Sequence, residues 1–272
     1  MRKMTNSNQG QRAVIVHYHL FKCAGTSVEH TLEKCFGKKL LRIDQDVPFG
    51  KIFAKDLLVE LKENHQIMAV TSHQLKMPLP KLENFQFLPI VFLRHPIDRI
   101  QSVYNFDKRR GPVTPDAKVA VENDFANYLR IQIDNDKQVK DFYVRSLTDA
   151  WDLDTGTKSL LPIGLDEHFS RAFEVLKSLP VVGVVEEFSK SAKTFEIWIS
   201  KYLPEFSFSV SRQNVDPSRL SNLEDRLQRV REEIGDEIFE ELVEVNSYDF
   251  RLYEAAKDHL SSVEQKFRLK ND

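Results

Sequence analysis

The chain has 272 residues, 41% hydrophobic and 29% charged, a composition with apolar side chains enough for a full globular core. Its 39 basic and 41 acidic side chains leave a net charge of −2, so bulk electrostatics recruit neither nucleic acid nor an anionic membrane. No run reaches the roughly 18 apolar residues that span a bilayer, and the polar N-terminus lacks a signal-peptide core. Cys23 and Cys35 are too few, and wrongly spaced, for a disulfide framework or a zinc site, so a reducing cytoplasm is the expected compartment. In chain order, a buried strand at 13–20 leads through a short turn into a helix at about 27–36. A weaker strand near 40–43, a helix at 51–64 and a strand at 66–72 follow. The apolar run 86–93 is a strand that feeds a helix over 96–110. Helices at about 119–133, 139–150 and 166–178 precede a strand at 181–185. Helices at 188–202, 218–233 and 235–260 close the chain, the last broken near Asn246. Strands alternating with helices predict an α/β fold, a parallel sheet flanked by helices. We expect a single domain over 1–272. Segments 11–110 and 180–260 form its α/β core, and 111–179 forms a helical insertion in the middle of the chain.

The strand Ala13-Val-Ile-Val16 runs into His19-Leu-Phe-Lys22-Cys-Ala-Gly25-Thr26-Ser27 and then into the helix. A lysine, a glycine and two hydroxyls thus gather where a helix exposes unpaired amides and the positive end of its dipole, which is the chemistry of an anion site. Thr26-Ser-Val-Glu29 also reads as a capping box, with Thr26 bonding the third helical amide and Glu29 reaching back. That cap accounts for Thr26 and Glu29 but not for Lys22. Cys23 reads as a small filler within the turn.

In open α/β sheets ligands bind beyond the carboxyl ends of the strands. Here the second strong strand ends in Thr71-Ser72-His73 and the third in Arg94-His95-Pro96. Arg94 carries a planar five-donor guanidinium suited to phosphate or carboxylate, and equally to a structural ion pair. Pro96 suits a first helical turn. Ile97, Ile100 and Tyr104 form the apolar stripe of the following helix, and Ser102 lies opposite, toward water or a ligand. His73 is the best general-base candidate, since an imidazole titrates near neutrality. His17 and His19 share one sheet face and read as packing or polar support, with acceptor contact a lesser reading for His19. Lys108-Arg-Arg110 before Gly111 reads as a helix stop, with contact to an acidic acceptor the lesser reading, and Trp151 reads as a core or edge-packing residue, with stacking on a sugar ring the lesser reading.

Together, Lys22-Cys-Ala-Gly-Thr-Ser27 and Arg94-His-Pro-Ile-Asp-Arg-Ile-Gln-Ser102 resemble the two nucleotide motifs of PAPS-dependent sulfotransferases. The similarity is to the carbohydrate branch related to heparan sulfate 2-O-sulfotransferase, in its soluble bacterial form. Thr71-Ser-His73 resembles the family segment that carries a catalytic histidine. Val182-Gly-Val-Val-Glu186-Glu-Phe-Ser and Asn246-Ser-Tyr-Asp249-Phe-Arg-Leu-Tyr253 echo its late segments, so the resemblance spans about 13 to 256. Cys23 and Ala24 stand where threonine and glycine or alanine are commoner, and His95 where an acidic residue is frequent.

The resemblance implies a P-loop-like parallel sheet and transfer of a sulfuryl group from PAPS to a hydroxyl of a saccharide or glycan by in-line displacement. Lys22, Cys23, Ala24, Gly25, Thr26 and Ser27 would hold the 5′-phosphate, Arg94 and Ser102 the 3′-phosphate, and Lys22 and His73 would serve the chemistry, with no metal. Segment 111–179 would carry the acceptor side, and residues near Arg212 and Asn214 are open as contacts to substrate or adenine. Two other readings stand beside this one. A P-loop kinase or nucleotide-binding protein using ATP would need glycine, four residues and then Gly-Lys-Ser/Thr, whereas here the lysine precedes the glycine. A non-catalytic relative would bind nucleotide without transferring sulfate.

Overall fold

The computed structural model describes residues 10–47, 50–79, 81–133, 138–148, 164–209 and 222–269. Its first strand, β1 (Arg12–Tyr18), carries Val14, Ile15 and Val16 with no exposed surface. A continuous apolar run of this kind belongs in the middle of a sheet covered on both faces. The chain continues through α1 (Gly25–Phe36), β2 (Leu40–Arg42), α2 (Ala54–Glu63) and β3 (Ala69–Ser72). It then enters β4 (Phe85–Ile90), β5 (Phe92–Leu93) and α3 (Pro96–Arg110).

All of the named strands pair in parallel, in the order β2-β3-β1-β4, and β5 pairs with β6 (Gly183–Val184). The expected strand 86–93 is therefore split at Val91. Its first half follows β1 until β1 ends, and its second half takes β6 as partner. Parallel pairing brings the strand ends to one edge, with Tyr18 opposite Ser72 and Leu93 opposite Val184.

Helices α4 (Pro115–Glu122), α5 (Phe125–Gln132), α6 (Phe142–Thr148) and α7 (Leu165–Ser178) lie between α3 and β6. The single helix expected over 119–133 is two. Thr114 and Asp124 each cap a new start by accepting the amides of Ala117 and Asn127. After β6 come α8 (Phe188–Ile199), α9 (Leu223–Ile234), α10 (Asp236–Glu244) and α11 (Ser247–Arg268). The break expected near Asn246 separates α10 from α11, where the Asn246 side chain donates to the carbonyls of Val139 and Leu242.

Two apolar cores result. The larger joins the strands to α1, α2, α6, α7, α8 and α11. The smaller packs Ile97, Ile100 and Tyr104 of α3 against Phe125, Tyr128 and Leu129 of α5 and Val230, Ile234 and Leu242 of α9 and α10. The helices of 111–179 are thus divided between them, α4 and α5 in the smaller core and α6 and α7 in the larger. Trp151, the loop 152–157, Arg212 and Asn214 lie outside the described residues. Among the described residues no helix is long and apolar enough to cross a membrane.

Candidate active site at the carboxyl edge of the sheet

The turn after β1 is built without flexible residues where it bends most. Lys22 and Ala24 hold left-handed backbone angles, φ 63° and 61°, each a strain on the order of 1 kcal/mol for a residue with a Cβ. This double bend starts α1 at Gly25, and Ala24 is its N-cap with no side-chain cap. The expected capping box is therefore absent. Thr26 is exposed within the first turn, and Glu29 pairs instead with Arg42 Nε at 2.5 Å. The first turn keeps its donors as a result. The amides of Ser27 and Val28 donate to Ala24, while those of Gly25 and Thr26 have no acceptor among the described residues.

Gly25 is required by a neighbour rather than by its own backbone angles. A Cβ there would lie 1.8 Å from Cδ2 of His19, whose ring is seated against the helix start. Cys23 is buried, with its Sγ 3.5 Å from the Tyr143 hydroxyl. Burial pushes its thiol up to about 11, so the side chain is an inert filler, its Sγ 3.6 Å from the Phe21 carbonyl of the same turn.

Lys22 makes no ion pair among the described residues. Its ammonium stands 4.4 Å from the centre of the Phe106 ring, and Phe106 also meets Phe21 edge-on at 5.4 Å. Burial, then the charges of Arg94 and Arg109, pull the Lys22 ammonium down to about 8. A desolvated cation beside other cations is a place that an anion would relieve.

Arg94 follows directly after β5, and its side chain is only 8% exposed. Its Nε donates to Asp98 Oδ2 at 2.8 Å, and its Nη1 donates to the Lys22 carbonyl at 3.2 Å. Asp98 also accepts from Arg226 Nε at 2.9 Å, so two guanidiniums share one carboxylate. The structural ion pair is thus real. It leaves Arg94 Nη2 without an acceptor among the described residues. Ser102 is half-buried, and it stands one turn from Asp98 and one turn from Phe106. Its face of α3 is the one that touches both Arg94 and Lys22, so helical periodicity alone, which turns it from the apolar stripe, understates its access to the turn.

Tyr143 fixes the strand exit. Its hydroxyl accepts the Arg94 amide at 2.9 Å and donates to the Arg94 carbonyl at 2.6 Å. Asp249 in turn accepts the amides of Tyr143 and Val144, the first turn of α6, at 2.9 and 3.1 Å. Glu186 accepts the His95 amide and the Tyr253 hydroxyl, each at 3.1 Å. The late segments singled out in the sequence are thereby the backing of the Arg94 exit.

On the other side of the turn three imidazoles form a stack. The His17 and His19 rings are 5.2 Å apart, and those of His19 and His73 are 3.9 Å apart. His17 is buried and bonded to Thr71 Oγ1 at 2.8 Å, and burial holds it well below the usual imidazole range. Burial, with His73 next, brings His19 down to about 3, so it is neutral at physiological pH. Its Nδ1 lies 3.6 Å from Glu29, beyond hydrogen-bond reach. His73 itself is about half-exposed, and its Nδ1 lies 2.9 Å from Oδ2 of Asp44.

The sequence reading missed Asp44. It sits just past the weakest strand, and only the placement of β2 beside β3 brings it to His73. Lys22, Arg94, Ser102 and His73 do share one edge, with His19 between the turn and His73. Tyr143, Asp98 and Arg226 were also missed; their signal is burial and long-range bonding, which spacing does not carry.

The fold defines a mixed α/β protein with a mostly parallel central sheet flanked by helices, and polar groups gathered at its carboxyl edge. No protein-family model matches the chain. It belongs to the same family as an uncharacterized protein of Archaeoglobus fulgidus, to which it is 32% identical over 255 residues, 91% of this chain and 97% of that one.

Proposed function

We propose that the carboxyl edge is the donor site of a sulfotransferase with a P-loop-like fold that uses PAPS and acts on a saccharide or glycan hydroxyl. The observation that carries the reading is the bond from Arg94 Nη1 to the Lys22 carbonyl, which makes two cationic grips parts of one cluster. The residues would offer donors to two phosphates of one ligand. Among the described residues the Gly25 and Thr26 amides and Lys22 have no acceptor and so offer donors for one phosphate, and Arg94 Nη2 with Ser102 offers donors for another. PAPS supplies a sulfuryl group whose leaving oxygen belongs to a phosphate.

In this reading Lys22 stabilises the negative charge that grows on that oxygen as its bond to sulfur breaks. The Gly25 and Thr26 amides hold the same phosphate with the dipole of α1. Arg94 and Ser102 hold the 3′-phosphate and so separate PAPS from ATP. His73 accepts the proton of the acceptor hydroxyl at Nε2 as the oxygen attacks sulfur. The chemistry resembles phosphoryl transfer, in which positioning and charge stabilisation supply most of the rate.

Incubation with radiolabelled PAPS across a panel of saccharides tests the reading, with calorimetry of adenosine 3′,5′-bisphosphate against Mg-ATP beside it. Transfer of label together with a preference for the bisphosphate supports it. A preference for Mg-ATP would instead make the site that of a kinase or other ATP-binding protein. Bisphosphate binding without transfer to any acceptor would make the protein a non-catalytic relative.

A further inference from the structure

We propose that Asp44 is a positioning residue that holds the His73 imidazole in the Nδ1–H tautomer and thereby leaves Nε2 as the proton-accepting nitrogen. The inference rests on the assignment of His73 as base, but the tautomer itself is a property of the protein alone. It starts from sheet order. Strand β2 lies beside β3, and the Ile43 amide continues the pairing by donating to the Thr71 carbonyl at 3.1 Å. One residue later Asp44 emerges against the turn Ser72-His73-Gln74.

The two carboxylate oxygens of Asp44 divide the work. Oδ1 accepts three donors, Ser72 Oγ at 2.8 Å, the His73 amide at 2.9 Å and the Gln74 amide at 3.3 Å. Ser72 spends its one proton on Asp44, since its oxygen accepts the amides of Gln74 and Leu75 at 3.0 and 2.9 Å. Oδ2 is left for the imidazole and lies 2.9 Å from His73 Nδ1. An ionised carboxylate only accepts, so the proton of a neutral His73 ring sits on Nδ1. A turn-capping aspartate would account for Oδ1 alone. The bond through Oδ2 fixes the ring as well.

The other restraint on the ring is His19. Its imidazole stacks on His73 at 3.9 Å and is neutral, so it limits rotation without adding a repelling charge. An oriented carboxylate on one ring nitrogen and an open second nitrogen is the arrangement that makes an imidazole a directed general base.

Asp44→Asn separates the two jobs. The three donors on Oδ1 oblige the amide oxygen to stay there, which turns the NH₂ group onto Nδ1. That nitrogen must then accept, and the ring proton moves to Nε2. Long-range proton–nitrogen NMR on the full chain reads the tautomer directly. We expect Nδ1–H for His73 in the unmodified protein and Nε2–H in Asp44→Asn. We also expect transfer from PAPS to fall by about 10²- to 10⁴-fold with binding of adenosine 3′,5′-bisphosphate unchanged. An Nε2–H ring in the unmodified protein would overturn the inference without any variant, as would a retained Nδ1–H ring in Asp44→Asn. A fixed Nδ1–H ring in a protein that transfers nothing from PAPS would uphold the positioning role and remove the sulfotransferase reading instead.

Discussion

Arg94 donates a hydrogen bond through Nη1 to the main-chain carbonyl of Lys22 at 3.2 Å, across 72 positions of sequence. The guanidinium thus braces the turn that follows β1 while Nε holds Asp98. Removing it has two separable consequences. Arg94→Ala should weaken adenosine 3′,5′-bisphosphate binding by about 10- to 100-fold more than adenosine 5′-phosphate binding, as expected for loss of a charge-assisted bond to one phosphate. Calorimetry with the two nucleotides measures this, and equal losses would assign Arg94 to structure alone. Folding stability should fall as well, by less than the roughly 3–5 kcal/mol of a broken buried pair, because Arg226 still neutralises Asp98.

His73→Ala should lower turnover by about 10²- to 10⁴-fold, the usual worth of a general base. Product-nucleotide affinity should not change, because the ring stands on the far side of His19 from the turn. Steady-state rates and calorimetry on the same preparation separate the two. Undiminished turnover would move the base elsewhere.

Lys22 should show a trade between stability and binding. Its ammonium sits at about 8 in the folded chain against about 10.5 unfolded, so over that window the unfolded chain binds more protons and folding stability rises with pH. Lys22→Met should abolish that rise. Near pH 7 it should leave the ligand-free protein more stable by on the order of 1 kcal/mol after allowance for solvent screening. Nucleotide binding should be lost at the same time. Urea titrations across the window give the first result, and a variant whose stability still climbs between about 8 and about 10.5 would place the titrating group elsewhere.

Tyr143→Phe keeps the ring and removes one oxygen. The Arg94 amide and carbonyl, both bonded to that oxygen, would be left buried and unpaired. A loss of about 1–3 kcal/mol in urea unfolding is expected, with a larger fall in bisphosphate affinity than in overall helix content. An unchanged midpoint would show that water replaces the hydroxyl.

Much of the edge was legible because each of three apolar runs ends in a polar residue. Lys22, His73 and Arg94 follow Val16, Val70 and Leu93 within a few positions, and the parallel pairing of β1 with β3 and with β4, which runs on into β5, carries these ends to one side. The α3 helix was legible to its last residue, since Pro96 opens it and Gly111, at φ 84°, ends it. The start of α1 was not. Thr26 and Glu29 satisfy a local rule, but the left-handed Ala24 sets the boundary two residues earlier, and Arg42 claims the glutamate. Asp44 was invisible for another reason. Its meaning depends on which strand neighbours β2, and a strand of only three residues gives periodicity nothing to read. Tyr143 and Asp249 are coupled across 106 positions through main-chain amides, which leave no trace in side-chain spacing.

The bare α-carbon at position 25 sets the thickness of the wall between the turn and His73. That wall is one imidazole, His19, flush against the helix start on one side and against His73 on the other. Room for a bulkier group on either side can come only from the other, so the two compartments cannot be resized independently.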